Sequence, residues 1–423
     1  MTGQYQAPRG TQDVLPEDQP YWDLIRDTAA SLSASFGYAR IETPIFEDAS
    51  LFTRGVGEVT DIVQKEMYVF QDRGGQDLAL RAEGTAPVCR AYLQHGMHNL
   101  TQPVRLWYWT PIFRYDRPQA GRYRQHHQFG AEAIGEADAA VDAEVIELLW
   151  RLYEELGLSG ITLNLNSIGD EACRPKYLEE LRAYYLDKLP QLCADCQGRY
   201  ERNLLRLLDC KQERCQPFIA GAPAITDHLC PDCDRHFGDL RAYLDAIGIT
   251  YVLNTRLVRG LDYYTRTVFE FQPQEEGGQS TIGGGGRYDG LIEQLGGRPT
   301  PGIGFGSGIE RIILNLKRQD AEVAHGSHLD AFIIAQTAAA RVAAVHLASD
   351  LRRKGLVALP ATGARSLKAH MRQADALKAR YVAIIGEREL RDGTVTLKRL
   401  TDGVQETVMR EAISDWILAG RVA

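Results

Sequence analysis

A hairpin with a long, charged tip constrains this chain more than any other feature. Val104–Tyr115 (VRLWYWTPIFRY) and His127–Gly135 (HQFGAEAIG) are strand-like runs on either side of a connection that bears Pro118 and Gly121. Such runs read as two antiparallel strands, so the fold around them must contain an antiparallel sheet. Long hairpin loops are usually functional or disordered. The stretch Phe113–Glu132, FRYDRPQAGRYRQHHQFGAE, gathers Arg114, Arg117, Arg122 and Arg124 beside two histidines and closes on the carboxylate of Glu132. A solvated loop can look like this, but the chain as a whole is acidic, with a formal charge of −8.

The remaining patterns frame that hairpin. Across Pro20–Phe36, Trp22, Ile25, Ala29, Leu32 and Phe36 recur three or four residues apart, as on one face of a helix. Short strand-like pieces follow in ARIETPIFE, EMYVFQD and DLALRAEG. Asp142–Leu156 reads as helix and ITLNLNSIG as strand, and 171–249 reads as a helical, charged, Cys-bearing insertion. The β-rich pattern returns in TRTVFEFQP and STIGGGG, a helix starts near Gly308, and Arg318–Ser327 is a polar linker. From Leu329 onward strand and helix patterns alternate, which predicts a small sheet of parallel strands with helices. Domains are therefore expected at 1–325 and 328–423.

Composition bounds the function. The 423 residues are 44% hydrophobic and 25% charged, as in ordinary globular proteins. No apolar run of about 18 residues is present, and the N-terminus has no apolar signal region, so a cytoplasmic protein with no membrane contact is expected. The acidic total argues against non-specific nucleic-acid binding. The charge is uneven, however: His328–Ala423 holds 15 Lys and Arg against 10 Asp and Glu, or +5, leaving −13 on the rest. A basic terminal segment on an acidic body fits local contact with a polyanion. Six of the eight cysteines lie between Cys193 and Cys233. In a reducing compartment these are thiols or metal ligands. CADC (Cys193, Cys196) and CPDC (Cys230, Cys233) have the spacing of a structural Zn²⁺ site, although a long spacer separates them.

Four further segments are ambiguous one at a time. GGGGRYDGLIEQLGG (Gly283–Gly297) lacks the arrangement of a Walker loop, and its glycines imply close approach of backbone to a ligand or another strand. RGLDYYTRTVFEF (Arg259–Phe271) could be packing at a strand entrance. LRAEGTAPVCRAYL (Leu80–Leu93) contains a respectable helix start, with Thr85 just ahead of Pro87. PGIGFGSGIER (Pro301–Arg311) puts an arginine into the first turn of a helix, which is unfavourable unless an anion neutralises it.

In this order and wording, these segments resemble the histidyl-tRNA synthetases, a family of class II aminoacyl-tRNA synthetases, over nearly the whole chain. RGTQDVLP resembles the family's start, TPIFE the end of its first class motif, and FRYDRPQAGRYRQHHQ the second. RGLDYYTRTVFEF and GGGGRYDGLIEQLGG are similar to the segments peculiar to the histidine enzymes, and GIGFGSGIER to the third class motif. The HIGH and KMSKS signatures of the other synthetase class are absent. The resemblance implies an α+β catalytic domain built on an antiparallel sheet, followed by a C-terminal α/β anticodon-binding domain. It also implies ATP with Mg²⁺, L-histidine and tRNA(His) as partners, a histidyl-adenylate intermediate, and a homodimer built on the first class motif. A regulatory subunit of histidine biosynthesis is the alternative within the same fold. Such a subunit would be expected to lose several site residues and the terminal domain, and both are retained here.

Site roles follow from the resemblance. Arg114 would reach the α-phosphate, Arg311 the γ-phosphate, and Arg259 the α-phosphate and substrate carboxylate. Guanidinium groups suit this work, since each can donate paired, charge-assisted hydrogen bonds to phosphate. Glu132 and Tyr264 would hold the imidazole, which offers one N–H donor and one acceptor. Glu83, Thr85 and Gln128 match residues that grip the α-amino group. Arg117 and Gln119 would face the tRNA acceptor end. His126 stands where an aromatic ring, typically Phe, would stack on adenine. Ala82 replaces a common Pro and Asp116 a common Glu, and neither change removes a charge the chemistry needs.

Overall fold

The computed structural model describes residues 5–57, 60, 62–117, 121–274, 281–321, 323 and 329–420. The chain divides into two compact units, Met1–Val323 and Ala324–Ala423. An eight-stranded sheet organises the first. Edge to edge its strands are Ala39–Arg40, Val104–Phe113, Gln125–Ile134, Gly302–Gly308, Gly283–Arg287, Thr265–Pro273, Ile161–Ser167 and Val252–Leu253. The two short edge strands pair in parallel, and all the inner pairs are antiparallel. The hairpin sits within this sheet, with Val104 opposite Ile134 and Phe113 opposite Gln125.

The two faces of the sheet have separate cores. Side chains alternate along a strand, so Trp107, Phe129, Ala131, Phe269 and Phe271 point one way. They pack with helices Gln19–Ser35, Ala139–Glu155, Pro231–Ala246 and Ile309–Arg318. Leu106, Tyr108, Ile134 and Val268 point the other way, toward helix Thr85–Gln94 and most of the insertion. Helix Ala139–Glu155 starts three residues earlier than its apolar pattern suggests, because the Asp138 side chain caps it by accepting from the Ala140 N–H at 2.8 Å. This brings Asp142 into the core, where it meets Arg287 at 2.6 Å and His236 at 2.9 Å. Both partners of the Arg287 pair are fully buried. The arginine of GGGGRYDG is thus a structural tie, and losing one partner of such a pair costs about 3–5 kcal/mol. Arg81 has a similar task. It donates to the carbonyls of Pro111 at 2.7 Å and Thr43 at 2.9 Å, fastening the TPIFE segment to the hairpin.

A three-stranded sheet of Phe46–Asp48, Asp77–Leu80 and Val69–Gln71 accompanies the large one. The insertion contributes helices Arg174–Leu186, Ala194–Arg202, Gln216–Ala220 and Pro231–Ala246.

The second unit has a five-stranded sheet in the order Ala358–Pro360, Ala331–Ala335, Tyr381–Ile385, Thr394–Arg399, Gln405–Met409. The expectation of parallel strands holds for the first three and fails for the last two, which are antiparallel. The last turn, at Gly403 with φ 74°, is too short for a crossover. Strand Gln405–Met409 is mostly exposed and has no apolar face, so no periodicity marked it in the sequence. Among the described residues no helix is long and apolar enough to cross a membrane.

Candidate active site

One strand supplies a row of functional side chains. His126, Gln128, Gly130 and Glu132 alternate onto the same face of Gln125–Ile134 as Tyr108 on its neighbour. Opposite them on the other side run Gly304, Gly306 and Gly308, and beyond these Gly284 and Gly286. These glycines leave space that site residues fill. A Cβ at Gly304 would stand 1.7 Å from Glu132 Oε2, one at Gly130 2.2 Å from the Tyr108 ring, and one at Gly284 2.9 Å from Arg259 Nη1. The glycine run therefore admits close approach and is no phosphate loop by itself.

Above this bed lies a cavity of about 360 Å³. Glu83, Thr85, Arg114, His126, Gln128, Arg259, Tyr264 and Arg311 all line it. Glu132 does not. It is 0% exposed and sits one hydrogen bond behind the wall. Its Oε1 accepts from the Thr85 hydroxyl at 2.8 Å and the Tyr108 hydroxyl at 3.1 Å, and its Oε2 accepts from Tyr288 at 2.7 Å. Burial pushes its carboxyl up to about 8, against the pull of Tyr288 and Thr85. Glu83 is also raised by burial, although its carboxylate accepts from the Thr85 and Ala86 N–H groups at 2.7 and 2.6 Å. It caps the first turn of helix Thr85–Gln94, a job the sequence suggested for Thr85.

The cations fall into two groups. Arg259 is ion-paired with Glu270, and its guanidinium lies 5.8 Å from the centre of the Tyr264 ring. Burial works against the Arg259 charge, but Glu270, Tyr264 and Tyr263 together outweigh it and the pKa rises. Its Nε is buried with no hydrogen-bond partner among the described residues. Arg114 and Arg311 form the second group with Arg122. Arg114 donates from Nε to the Ala82 carbonyl at 2.7 Å, and Arg311 from Nε to the Gly121 carbonyl at 2.9 Å. Burial, then Arg122 and Arg114, lower the Arg311 pKa. The same surroundings act on His126, where burial and then Arg114 and Arg311 depress the ring to about 3. His126 is consequently neutral at physiological pH. This is a place short of negative charge, so a polyanion would be stabilised in it.

Glu310 braces that corner. Its carboxylate accepts from the His127 N–H at 2.9 and 3.0 Å and lies 3.0 Å from the His127 ring Nδ1. Arg117 is exposed at the hairpin tip. Gln119 lies outside the described residues.

The sequence reading gave no role to Tyr108, Tyr263, Tyr288, Arg122 and Glu270. Glu270 alone carried a usable signal: a carboxylate amid the buried aromatic residues of TRTVFEFQP needs a cationic partner. The cysteine reading needs correction. Cys193, Cys196, Cys230 and Cys233 do not converge. Cys193 and Cys196 cluster with Cys210 and Cys215, and Cys230 and Cys233 with Asp170 and Cys173. The two CxxC pairs open different helices, Ala194–Arg202 and Pro231–Ala246, so similar spacing did not mean one shared site.

With this geometry established, the family model described as Histidyl-tRNA synthetase matches residues 10–174 and 176–312, most of the chain. The chain belongs to the histidyl-tRNA synthetase family. A model described as Anticodon binding domain matches residues 330–420. The Histidine--tRNA ligase of Dehalococcoides mccartyi is 57% identical over 96% of this chain and 97% of its own length. That of Moorella thermoacetica is 50% identical over 97% of each. The crystal structure of the apo S. aureus histidyl-tRNA synthetase superimposes with a TM-score of 0.83 at 38% identity, covering 98% of this chain and 100% of that one.

Proposed function

We infer that this chain activates histidine with ATP, releases pyrophosphate, and passes the histidyl group to the 3′ end of its tRNA. One observation carries the reading: Arg114, Arg259, Arg311 and Tyr264 wall a single cavity, with Glu132 directly behind it. Activation brings a carboxylate oxygen onto an α-phosphate, so two anions must be drawn together. Fixed guanidinium groups supply this by position and charge, with little covalent work for the protein.

Arg311 takes the γ-phosphate and Arg114 the α-phosphate, and the repulsion that Arg122 and Arg114 add to the burial of Arg311 is relieved when the triphosphate enters. Arg259 meets the α-phosphate and the histidine carboxylate with its guanidinium. Magnesium favours oxygen ligands. Glu270 and Glu310 are carboxylates lining this cavity; they would hold the Mg²⁺ that neutralises phosphate charge. The α-amino group falls to Glu83, Thr85 and Gln128. Glu132 would serve an imidazole N–H through the Thr85 hydroxyl, which lines the cavity and donates to its Oε1, while Tyr264 serves the other ring nitrogen. A site built on such hydrogen bonds rejects an analogue that lacks them by about 10⁴–10⁵-fold.

The basic second unit serves the anticodon arm, with Arg117 and Gln119 directed at the acceptor end. A homodimer fits the exposed apolar group Ile45, Phe46, Val69 and Phe70 around the three-stranded sheet. The work is that of the cytoplasm, where tRNA is charged.

Pyrophosphate exchange with each of the twenty amino acids tests the reading. Histidine alone should give signal, and Arg259→Ala should abolish it without loss of fold. Arg259→Lys, which keeps a cation beside Glu270, controls for stability. Signal from another amino acid, or near-normal exchange in Arg259→Ala, would overturn the assignment.

A further inference from the structure

We propose that the insertion holds two separate tetrahedral zinc ions, one on Cys193, Cys196, Cys210 and Cys215 and the other on Asp170, Cys173, Cys230 and Cys233.

Distance is the first argument. Within each set the ligand atoms all lie within 4.8 Å of one another. Zinc bound tetrahedrally by thiolates at about 2.3 Å places the sulfurs about 3.8 Å apart. The Cys193 and Cys210 sulfurs already stand 3.8 Å apart. That is far beyond the roughly 2.0 Å of a disulfide, and all eight cysteines are free thiols.

The backbone is the second. Cys193 and Cys230 are each the residue that opens a helix, and each has φ −70° and ψ 161°. In both cases the second cysteine of the CxxC lies three residues on, in the first helical turn. Each set is completed by two residues of another segment: Cys210 and Cys215, the latter ending the short 3-10 helix Glu213–Cys215, in one, and Asp170 and Cys173 in the other. The molecule has thus used the same helix-opening CxxC twice, completed by two cysteines in one set and by an aspartate and a cysteine in the other.

Amide donors supply the third. Cys193 Sγ accepts from the Cys196 N–H at 3.4 Å, and Cys215 Sγ from the Cys193 N–H at 3.3 Å. Cys210 Sγ accepts from the Gln212 N–H at 3.5 Å, and Cys173 Sγ from the Asp170 N–H at 3.4 Å. Donors aimed at sulfur favour thiolate, the form that binds metal. At the second site Asp170 divides its work. Oδ1 faces Cys173 at 3.6 Å and Cys230 at 3.9 Å, while Oδ2 is ion-paired with Arg266 at 3.2 Å. One oxygen toward the ion and the other toward a guanidinium is how metal-binding carboxylates are oriented.

The second ion would also support the proposed histidine pocket. Arg266 has a left-handed backbone, φ 48°, which is strained for a residue other than glycine. It is held by reciprocal hydrogen bonds of 2.7 Å with Gly169 and Ile168. Arg174, next to Cys173, donates to the Tyr264 carbonyl at 2.8 Å. Losing this ion should therefore raise the KM for histidine more than that for ATP; this clause alone rests on the function proposed above.

The test is metal content of the full chain, purified under reducing conditions without chelator. Two zinc ions per chain are expected, falling to one in Cys210→Ser, to one in Cys233→Ser and to none in the double variant. If a variant fails to fold, Co²⁺ titration of the metal-stripped wild-type protein gives the same answer. Tetrahedral visible bands and sulfur-to-cobalt charge transfer should grow to a break at two equivalents. A break at one equivalent, a parent protein with one zinc that either substitution alone removes, or less than about 0.2 equivalents of zinc would overturn the proposal. Two ions without histidine activity would sink the functional reading and leave the metal sites standing.

Discussion

Glu132→Gln should gain stability relative to the parent by an amount that grows with pH. Burial lifts the Glu132 carboxyl from 4.5 to about 8. A raised pKa means that the fold holds this proton more tightly than the unfolded chain does. The stability so gained is complete below 4.5 and is lost as pH rises through 8. At about 1.36 kcal/mol per unit, the loss is about 1 kcal/mol by pH 5, about 3 by pH 7 and about 5 by pH 9. An amide has no such proton, and the hydroxyls of Thr85, Tyr108 and Tyr288 can turn to meet it. Urea unfolding of parent and variant at pH 5, 7 and 9 without histidine measures the difference, followed by fluorescence of the first unit's tryptophans. That difference should widen by about 4 kcal/mol between pH 5 and 9. Parallel pH profiles would refute the claim that an ionised carboxylate is expensive here. The same variant should lose histidine-dependent exchange, because stability and function often conflict at such a residue.

Gly304→Ala would place a Cβ 1.7 Å from Glu132 Oε2 and 2.5 Å from the Ala131 carbonyl, and should cut histidine-dependent exchange by about 100-fold or more. Gly290→Ala, whose Cβ meets nothing nearer than 3.9 Å, should be nearly silent in the same assay. His126, depressed to about 3, contributes no titration between pH 5.5 and 8. His126→Phe should therefore leave the pH profile of kcat/KM for ATP superimposable on the parent's, and a lost inflection would show the ring to be charged. Deletion of 329–423 should weaken tRNA charging far more than adenylate formation, and equal losses in both assays would make the second unit merely structural.

The sequence foretold the hairpin because strand alternation and a Pro- and Gly-bearing break are local signals. The row His126, Gln128, Glu132 came from the family resemblance, and the strand's period of two is what places these residues on one face. Tyr108 was illegible for a physical reason. Val104–Phe113 is apolar toward both cores, so nothing distinguishes the one tyrosine that donates to a buried carboxylate from the tryptophans beside it. Tyr288 and Arg287 are neighbours in GGGGRYDG with unlike fates, one on Glu132 and the other locked to Asp142. Their directions depend on a strand pairing that is distant in sequence. Sequence spacing misled at the cysteines for the same reason. A repeated CxxC suggests one metal, while the path of the chain decides which loops come near.

The glycines beneath the cavity touch no reacting atom, yet they set where the reacting groups can be. A methyl group there would lift a functional side chain off the backbone, so the positions least able to take part in the chemistry govern it most tightly. Variation in this protein should be least forgiving where the sequence looks plainest. A survey of damaging substitutions would then trace the outline of the catalytic groups in residues that have no side chain at all.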